Sequence, residues 1–309
     1  MRHASTQLRL TPLLLRAWPP HCPPAPLPQL SRYSSTHPPK AVDQTSDPRA
    51  LAIDHLIEDD FSTLRDAYQP PKHPIVLAHG LLGFDELRPI GKLLPSIHYW
   101  RGIKEALNAN GIEVITTSVG ASSSIEQRAV ELLREIKAKA RGKSVNIVAH
   151  SMGGLDARYL ISNLRPWDVE IKSLTTVGTP HRGSSFADFV FREIGEGNVA
   201  RVYALLARLK IESGAFSQLT TQYMRERFNP ANPDDASVRY FSYGAQFQPS
   251  VWSVFRFSHD MIDVIEGPND GLVSVASSKW DERGYRGTLD GVSHLDLINW
   301  YVLRPVCEA

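Results

Sequence analysis

A serine stands between an apolar run and a pair of glycines, and this stretch limits the possible folds more than any other. The apolar run Val145–Val148 has the composition of a buried strand, Ser151 follows it after two residues, and the turn through Gly154 opens a helical pattern at Leu155–Leu160. A serine on a sharp turn between strand and helix projects its Oγ from the end of a sheet, where it can act as a nucleophile. Gly153 suits this turn because a Cβ there would collide with its neighbours, whereas Ala149 stands where glycine is more common. We therefore predict an α/β fold in which Ser151 is a catalytic nucleophile.

A nucleophilic serine needs a histidine base, and three histidines follow it in the chain. In folds of this kind the order along the chain is serine, acid, histidine. His181 comes too early to leave room for an acid, and His259 is an alternative that precedes the best acid candidate. His294 lies in a short polar loop before the last helical pattern, and we predict it as the base.

The acid that orients this base is sought between the serine and His294. Asp270 lies in the turn Gly267–Gly271, directly before the strand-like residues Leu272–Val275. Asp260 and Asp263 are the alternatives, although both are typical of surface or structural carboxylates. We predict Asp270.

An oxyanion hole is predicted where Pro74–Phe84 forms an apolar strand that ends in a glycine-spaced loop. In α/β enzymes of this type one backbone N–H comes from such a loop and the other from the residue after the nucleophile. These are Leu81 and Met152. We expect His79 to fix the conformation of this loop through a hydrogen bond. The alternative is that Pro74–Phe84 is only a core strand followed by an ordinary glycine turn.

The part of the chain after residue 40 is long enough for one large domain with its own core. Strand-like runs alternate there with helical patterns, which predicts a mostly parallel central sheet with helices on both faces. The predicted strands are Ile75–Ala78, Val114–Thr117, Val145–Ala149, Ser173–Val177 and Arg239–Ala245. A helix is predicted from Ile125 to Ala140, capped by Ser122–Ser124 and ended at Gly142.

Several of these motifs occur together in one family. The chain resembles the bacterial triacylglycerol lipases of the Pseudomonas and Burkholderia kind, and the related fungal mitochondrial triacylglycerol lipases, all of the α/β-hydrolase superfamily. The resemblance runs from about Pro74 to Trp300. The matching stretches are His79–Asp85, Tyr99–Ile103, the serine turn, Val177–Ser184, Asn269–Val273 and His294–Asp296.

The resemblance implies an α/β-hydrolase fold and a triacylglycerol lipase that works through an acyl-enzyme. It implies Ser151 as nucleophile, Asp270 as acid and His294 as base, with Leu81 and Met152 as the oxyanion-hole donors. A phospholipase or a diacylglycerol lipase is the alternative within the ester hydrolases. A binding protein on the same fold, with an idle triad, is the alternative outside them.

The chain departs from the bacterial lipases at their structural calcium site. Asp296 matches one calcium ligand, but Trp300 stands where a glutamine is expected. Because calcium needs about 6–8 oxygen ligands, we predict no metal, and no motif indicates a cofactor. The bacterial disulfide cannot form, since the only cysteines are Cys22 and Cys307.

The first forty residues differ in charge from the rest. They hold five basic and no acidic residues, together with nine of the 22 prolines, whereas the remainder has 29 basic and 33 acidic residues. An arginine-rich, serine-bearing, acid-free terminus is typical of an organellar presequence. We predict a mitochondrial targeting segment at 1–40, with processing near Tyr33–Ser34, and a lipase domain at 41–309. The alternatives are a secretory signal and a disordered proline-rich tail that has no targeting function.

Residues 186–236 interrupt the alternation and predict a helical lid or cap. Within them an apolar face is formed by Val199, Val202, Tyr203, Leu206 and Leu209, with Arg201 and Arg208 on another face. This pattern suits a lid that contacts a membrane or lipid droplet, and a static cap is the equal alternative. The predicted partners are thus a lipid ester and a lipid surface. Nucleic acid is not expected as a partner, because the net charge of the chain is close to zero. No apolar run is long enough for a transmembrane helix.

Overall fold

The computed structural model describes residues 69–81, 86–87, 97–100, 102–120, 123–195 and 213–299. The strands are β1 (Ile75–Ala78), β2 (Glu86–Leu87), β3 (Ile97–His98), β4 (Val114–Thr116), β5 (Val145–His150), β6 (Ile171–Val177), β7 (Arg239–Ala245) and β8 (Tyr285–Leu289). The α-helices are α1 (Ile103–Ala109), α2 (Ile125–Ala140), α3 (Gly153–Tyr159), α4 (Ser185–Gly195), α5 (Ser213–Ser217), α6 (Thr221–Tyr223), α7 (Asn229–Ala231), α8 (Arg256–Glu266) and α9 (Val275–Ser278). Two π-helical turns cover Leu160–Leu164 and Met224–Phe228, and a 3₁₀ turn covers Asp296–Ile298.

Six strands form one parallel sheet in the order β4-β1-β5-β6-β7-β8. The chain runs from β1 outward to β4 and then returns to β5 on the other side of β1. This reversal makes the crevice beyond the carboxyl ends of β1 and β5 a topological switch point, where open α/β sheets bind their ligands. The short β2 and β3 pair with each other as a separate antiparallel ribbon.

Both faces of the sheet are covered, because successive side chains of a strand point to opposite sides. On one face Val76 of β1 and Ile147 of β5 pack with Leu132 of α2. On the other, Leu77 of β1 packs with Trp100 and Ile298, alongside partly buried side chains of α1. The predicted parallel sheet with helices on both faces is confirmed.

The helix predicted after Ser122–Ser124 is confirmed as α2. The Ser124 hydroxyl accepts a hydrogen bond from the Gln127 N–H, and the Gln127 side chain accepts one from the Ser124 N–H, which completes a capping box. The helix ends where Arg141 takes a left-handed conformation. Its apolar side is buried as the spacing predicts.

All five predicted strands are present, but two features of the sheet differ from the prediction. Strand β8 was not predicted, since Tyr285–Leu289 contains a glycine and lacks a clear apolar alternation. The residues Leu272–Val275, which are strand-like in sequence, do not form a strand. The Asp270 carboxylate accepts the N–H groups of Leu272 and Val273, which closes a turn, and Ser274 then caps α9.

Some predictions lie outside the described residues: the presequence at 1–40, the amphipathic segment at 199–209, both cysteines and Trp300. In the described part of the chain, no helix combines the length and apolarity needed to cross a membrane.

Candidate active site

Ser151 stands where β5 ends and α3 begins, and its backbone is held in a left-handed conformation with φ 55°. A non-glycine residue with positive φ is uncommon and often marks a functional turn. Three bonds fix this conformation: the Ser151 N–H donates to the Val177 carbonyl at 3.0 Å, and the Ser151 carbonyl accepts from the Thr179 hydroxyl and the Gly154 N–H. The strained turn is therefore built into the sheet.

The glycines at this turn are needed because β1 approaches it closely. A Cβ on Gly153 would lie 2.6 Å from the His79 carbonyl oxygen, and a Cβ on Gly80 would lie 2.7 Å from the Ser151 Cβ. The collision predicted at Gly153 is thus present. Ala149, where a glycine was more usual, fits in the sheet and is fully buried.

The side chains of Ser151, His294 and Asp270 form one hydrogen-bonded series. Ser151 Oγ lies 2.9 Å from His294 Nε2, and His294 Nδ1 lies 2.7 Å from Asp270 Oδ2. The other oxygen of Asp270 accepts the N–H groups of Leu272 and Val273. The His294 N–H donates to the Asp270 carbonyl at 2.8 Å, so the two loops are also joined through their backbones.

The alternative bases lie in other surroundings. His181 Nε2 bonds the Thr176 hydroxyl and its ring packs on Trp280, while burial lowers its pKa well below the ordinary value. His259 lies in α8, where its ring packs edge-on against Phe247. The Ser151 contact belongs to His294.

The alternative acids and the single calcium-ligand match also have local partners. Asp260 forms an exposed ion pair with Arg256, and Asp263 is exposed. Asp296, the first residue of the 3₁₀ turn, accepts both the N–H and the hydroxyl of Ser293 through Oδ2. No cluster of three or more metal-ligating side chains occurs among the residues that the structure describes.

The candidate oxyanion loop (residues 79–81) follows β1 and lies beside the serine. His79 Nε2 accepts the Val119 N–H at 3.1 Å, which leaves the proton on Nδ1, 3.0 Å from the Gly80 carbonyl oxygen. The hydrogen bond expected from His79 to the loop is present. Within the described residues, neither the Leu81 N–H nor the Met152 N–H has an acceptor.

A fully buried arginine from α2 also holds this loop. Arg128 donates to the carbonyls of His79 at 2.8 Å and Gly80 at 3.2 Å, and forms an ion pair with Asp156 of α3. Because a peptide is planar and trans, fixing the Gly80 carbonyl fixes the Leu81 N–H on the opposite side. Burial raises the pKa of the Asp156 carboxyl to about 6, although Arg128 opposes this.

Two further buried side chains link the loop to His294. The Gly80 N–H donates to Tyr99 Oη at 3.0 Å, and Tyr99 Oη lies 2.6 Å from His150 Nδ1. His150 Nε2 lies 3.1 Å from the His294 carbonyl oxygen. Sequence reasoning assigned no role to Tyr99, His150, Arg128 or Asp156. Two signals were available: Arg128 is a charged residue at a core-facing position of an amphipathic helix, and Tyr99 begins one of the stretches that match the lipases.

Comparison with known proteins agrees with this architecture. The family model described as alpha/beta hydrolase fold matches residues 73–251, more than half of the chain. The chain belongs to this family. The predicted α/β-hydrolase fold is confirmed, and the site lies at the edge of the sheet where this family holds its nucleophile.

Relatives with similar sequences carry lipase names. Triacylglycerol lipase 2 of Saccharomyces cerevisiae is 41% identical over 277 residues, which cover 76% of this chain and 82% of that protein. Triacylglycerol lipase of Vibrio cholerae is 30% identical over 272 residues, with the same coverage of both. The predicted resemblance to triacylglycerol lipases is confirmed.

A solved structure has the same fold. The mature form of Bacillus licheniformis lipase BlEst2 matches with a TM-score of 0.60 and 22% identity, covering 76% of this chain and 90% of that one. At this identity the likeness concerns the fold alone.

Proposed function

We propose that this chain is a serine ester hydrolase that cleaves acylglycerols, with triacylglycerol as its principal substrate. The observation that carries the proposal is the hydrogen-bonded series from Ser151 through His294 to Asp270. The substrate class is supported by the two relatives named triacylglycerol lipase.

In the first half of the reaction Ser151 Oγ attacks the ester carbonyl carbon while His294 Nε2 removes the hydroxyl proton. Asp270 holds the ring so that Nε2 faces the serine, and it stabilises the imidazolium that forms. The carbonyl oxygen becomes an oxyanion and accepts hydrogen bonds from the N–H groups of Leu81 and Met152. His294 then donates its proton to the leaving glycerol oxygen, and an acyl-enzyme remains.

In the second half a water molecule attacks the acyl carbon, with His294 again as the base. The same two N–H groups stabilise the second tetrahedral intermediate. Collapse returns the proton to Ser151 Oγ and releases the fatty acid. The proton transfers use Ser151, His294 and Asp270, which already lie within hydrogen-bonding distance of one another.

A fluorophosphonate probe and a panel of lipid esters test this function. The probe requires an activated serine, and we expect it to label the purified chain at Ser151. Emulsified trioleoylglycerol should be hydrolysed faster than dioleoylglycerol or phosphatidylcholine. Absence of labelling would contradict the mechanism, whereas a preference for phosphatidylcholine would contradict only the substrate.

The proposal includes peripheral contact with a membrane or lipid droplet. Large apolar side chains are exposed along the segment that leads from β7 to the Asp270 loop, and we name this set the 251–265 apolar surface: Val251, Trp252, Val254, Phe257, Val264 and Ile265. Phe257 also packs on Phe189 of α4, where Phe191 is half exposed. Several large apolar side chains left exposed along one segment are typical of an interaction site. This surface supports lipid contact at the same edge of the sheet as the site.

The proposal also includes a location and a domain organisation. Residues 1–40 act as a mitochondrial targeting segment, and residues 41–309 form the lipase domain with a lid or cap at about 186–236. The first forty residues contain no acidic side chain, which supports mitochondrial targeting. In an import assay with energised mitochondria, the full chain should lose about 33 residues. Deletion of residues 1–33 should abolish import and leave hydrolysis unchanged. Entry of the full chain into the secretory pathway would contradict mitochondrial targeting.

A further inference from the structure

Tyr99 and His150 join three parts of the site through bonds whose directions are fixed. The His294 carbonyl can only accept, so His150 Nε2 carries the hydrogen and donates it. A neutral imidazole then offers Nδ1 as an acceptor, which receives the Tyr99 hydroxyl hydrogen. The Tyr99 oxygen in turn accepts the Gly80 N–H. Every donor in this series meets one acceptor.

Burial keeps both groups in the protonation states that this series needs. Burial lowers the pKa of the His150 imidazole well below its ordinary value, and the nearby His294 adds to this effect. Burial also raises the pKa of the Tyr99 phenol. At neutral pH, therefore, His150 is uncharged and Tyr99 retains its hydrogen.

The series ends on the two loops whose relative position decides the chemistry. At one end, Gly80 shares a peptide with Leu81, whose N–H faces the oxyanion. At the other end, the His294 carbonyl is attached to the residue that must reach both Ser151 and Asp270. Tyr99 and His150 therefore connect the loop that contains Gly80 to the loop that contains His294, and Ser151 lies between these two loops.

On the basis of the proposed function, we propose that Tyr99 and His150 are positioning residues that hold the oxyanion loop and His294 in a fixed relation across Ser151. Neither residue bonds the reacting atoms. Their effect is on alignment, and a misplacement of about 1 Å in an active site can cost ~10²-fold in rate.

The structure provides a matched control for Tyr99. At the other edge of the sheet Tyr240 Oη accepts the Asp235 N–H at 2.9 Å, a bond of the same type as the Gly80–Tyr99 bond at 3.0 Å. Phenylalanine at either position deletes one hydroxyl that receives a backbone N–H. Because Tyr99 is more deeply buried and its hydroxyl also donates to His150, Tyr99→Phe should lose more thermal stability than Tyr240→Phe. Both activities are therefore measured well below the unfolding midpoint of either variant, where the two should still differ.

The test uses the full chain, a soluble p-nitrophenyl ester and the rate of fluorophosphonate labelling. Tyr99→Phe should lower kcat and the labelling rate by about tenfold or more with KM unchanged, because alignment is lost and substrate binding is not. Tyr240→Phe should stay within about twofold of the parent. Equal activity of the two variants, or a Tyr99→Phe effect on KM alone, would overturn the proposal.

Two substitutions of His150 provide a second, independent test. The side-chain amide of His150→Gln can still donate to the His294 carbonyl, whereas His150→Leu cannot. The glutamine variant should therefore recover much of the kcat that the leucine variant loses. Adding Tyr99→Phe to His150→Leu should cost little more, since the pair acts as one unit. Equal losses for Gln and Leu, or additive losses, would count against it. Labelling of the parent at Ser151 tests the proposed function separately.

Discussion

The six strands have their amino ends at one edge of the sheet and their carboxyl ends at the other. The polar side chains at these two edges differ in burial. At the amino edge the pairs are exposed: Glu113 bonds Lys143, and Glu170 bonds Lys172. Such pairs contribute only ~0–1 kcal/mol each to stability. At the carboxyl edge the polar side chains around Ser151 are buried, and they bond one another or the backbone of another loop.

This difference indicates that the unfavourable contributions to folding stability lie at the carboxyl edge. Burying polar groups is unfavourable unless each is hydrogen-bonded, and a left-handed serine adds strain. The carboxyl edge carries both, and its polar groups include His79, His150, Asp270 and His294. Substitutions there should change catalysis, whereas equivalent substitutions at the amino edge should change stability slightly or not at all.

The largest expected contrast lies between the two serines that flank β5. Ser151→Ala should lower esterase activity by about 10⁴-fold or more, because the triad acts as a unit. Ser144, at the amino end of the same strand, bonds Glu170 at the surface, and Ser144→Ala should stay within about twofold of the parent. Activity on a soluble ester and far-UV circular dichroism check this. A Ser151→Ala protein that keeps more than a few per cent of its activity would remove the nucleophile assignment.

Two aspartates in similar turns provide the next contrast. Asp270 Oδ1 accepts two backbone N–H groups, and Asp235 Oδ1 accepts the N–H and the hydroxyl of Ser237. Asp270→Asn should lower kcat by about 10³–10⁴-fold, because His294 loses the acceptor that fixes its tautomer. Asp235→Asn should leave kcat unchanged. Similar kcat values for the two variants would mean that another carboxylate orients the base.

The residues of the candidate site that sequence analysis identified are those whose chemistry is tied to local order. Ser151 follows a strand and precedes a helix, and Asp270 and His294 follow it in the expected order. The pattern of β1 located Leu81 in the same way. These signals depend on neighbours in the chain, so one sequence suffices to find them.

The supporting residues depend on tertiary contacts and gave little signal. Arg128 meets Asp156 across 28 positions, and Tyr99 meets His150 across 51. No local pattern pairs such residues. Strand β8 was missed for a similar reason, because its pairing with β7 stabilises a segment with weak propensity of its own.

Two exposed tryptophans provide a contrast in lipid contact. Trp252 in the 251–265 apolar surface is 91% exposed, and Trp167, before β6 at the amino edge, is 93% exposed. Transfer of a large apolar side chain into lipid contributes ~1.5–3 kcal/mol. Trp252→Ser should therefore lower activity on emulsified trioleoylglycerol by about tenfold and leave activity on a soluble short-chain ester unchanged. Trp167→Ser should change neither. Equal losses on emulsion for both variants would argue against a lipid contact specific to the carboxyl edge.

The smallest expected effect is a difference in the sign of pH dependence between the two edges. Burial raises the pKa of Asp156 from 3.8 to about 6, whereas the hydrogen bond from Lys172 lowers the pKa of Glu170. Between about pH 4 and pH 6 the folded chain holds more proton at Asp156 than the unfolded chain does, so this stabilising contribution is lost as pH rises. Glu170 acts in the opposite sense, because its contribution is present at higher pH and is lost on acidification. In urea unfolding across this range, Asp156→Asn should remove a decline in the free energy of unfolding with rising pH. At and below about pH 4.5, where Glu170 takes up its proton, Glu170→Gln should instead remove a small gain in the free energy of unfolding with rising pH. Parallel stability curves for Asp156→Asn and the parent would show that Arg128 keeps Asp156 ionised, and that the buried pair at the carboxyl edge behaves like the exposed pairs at the other.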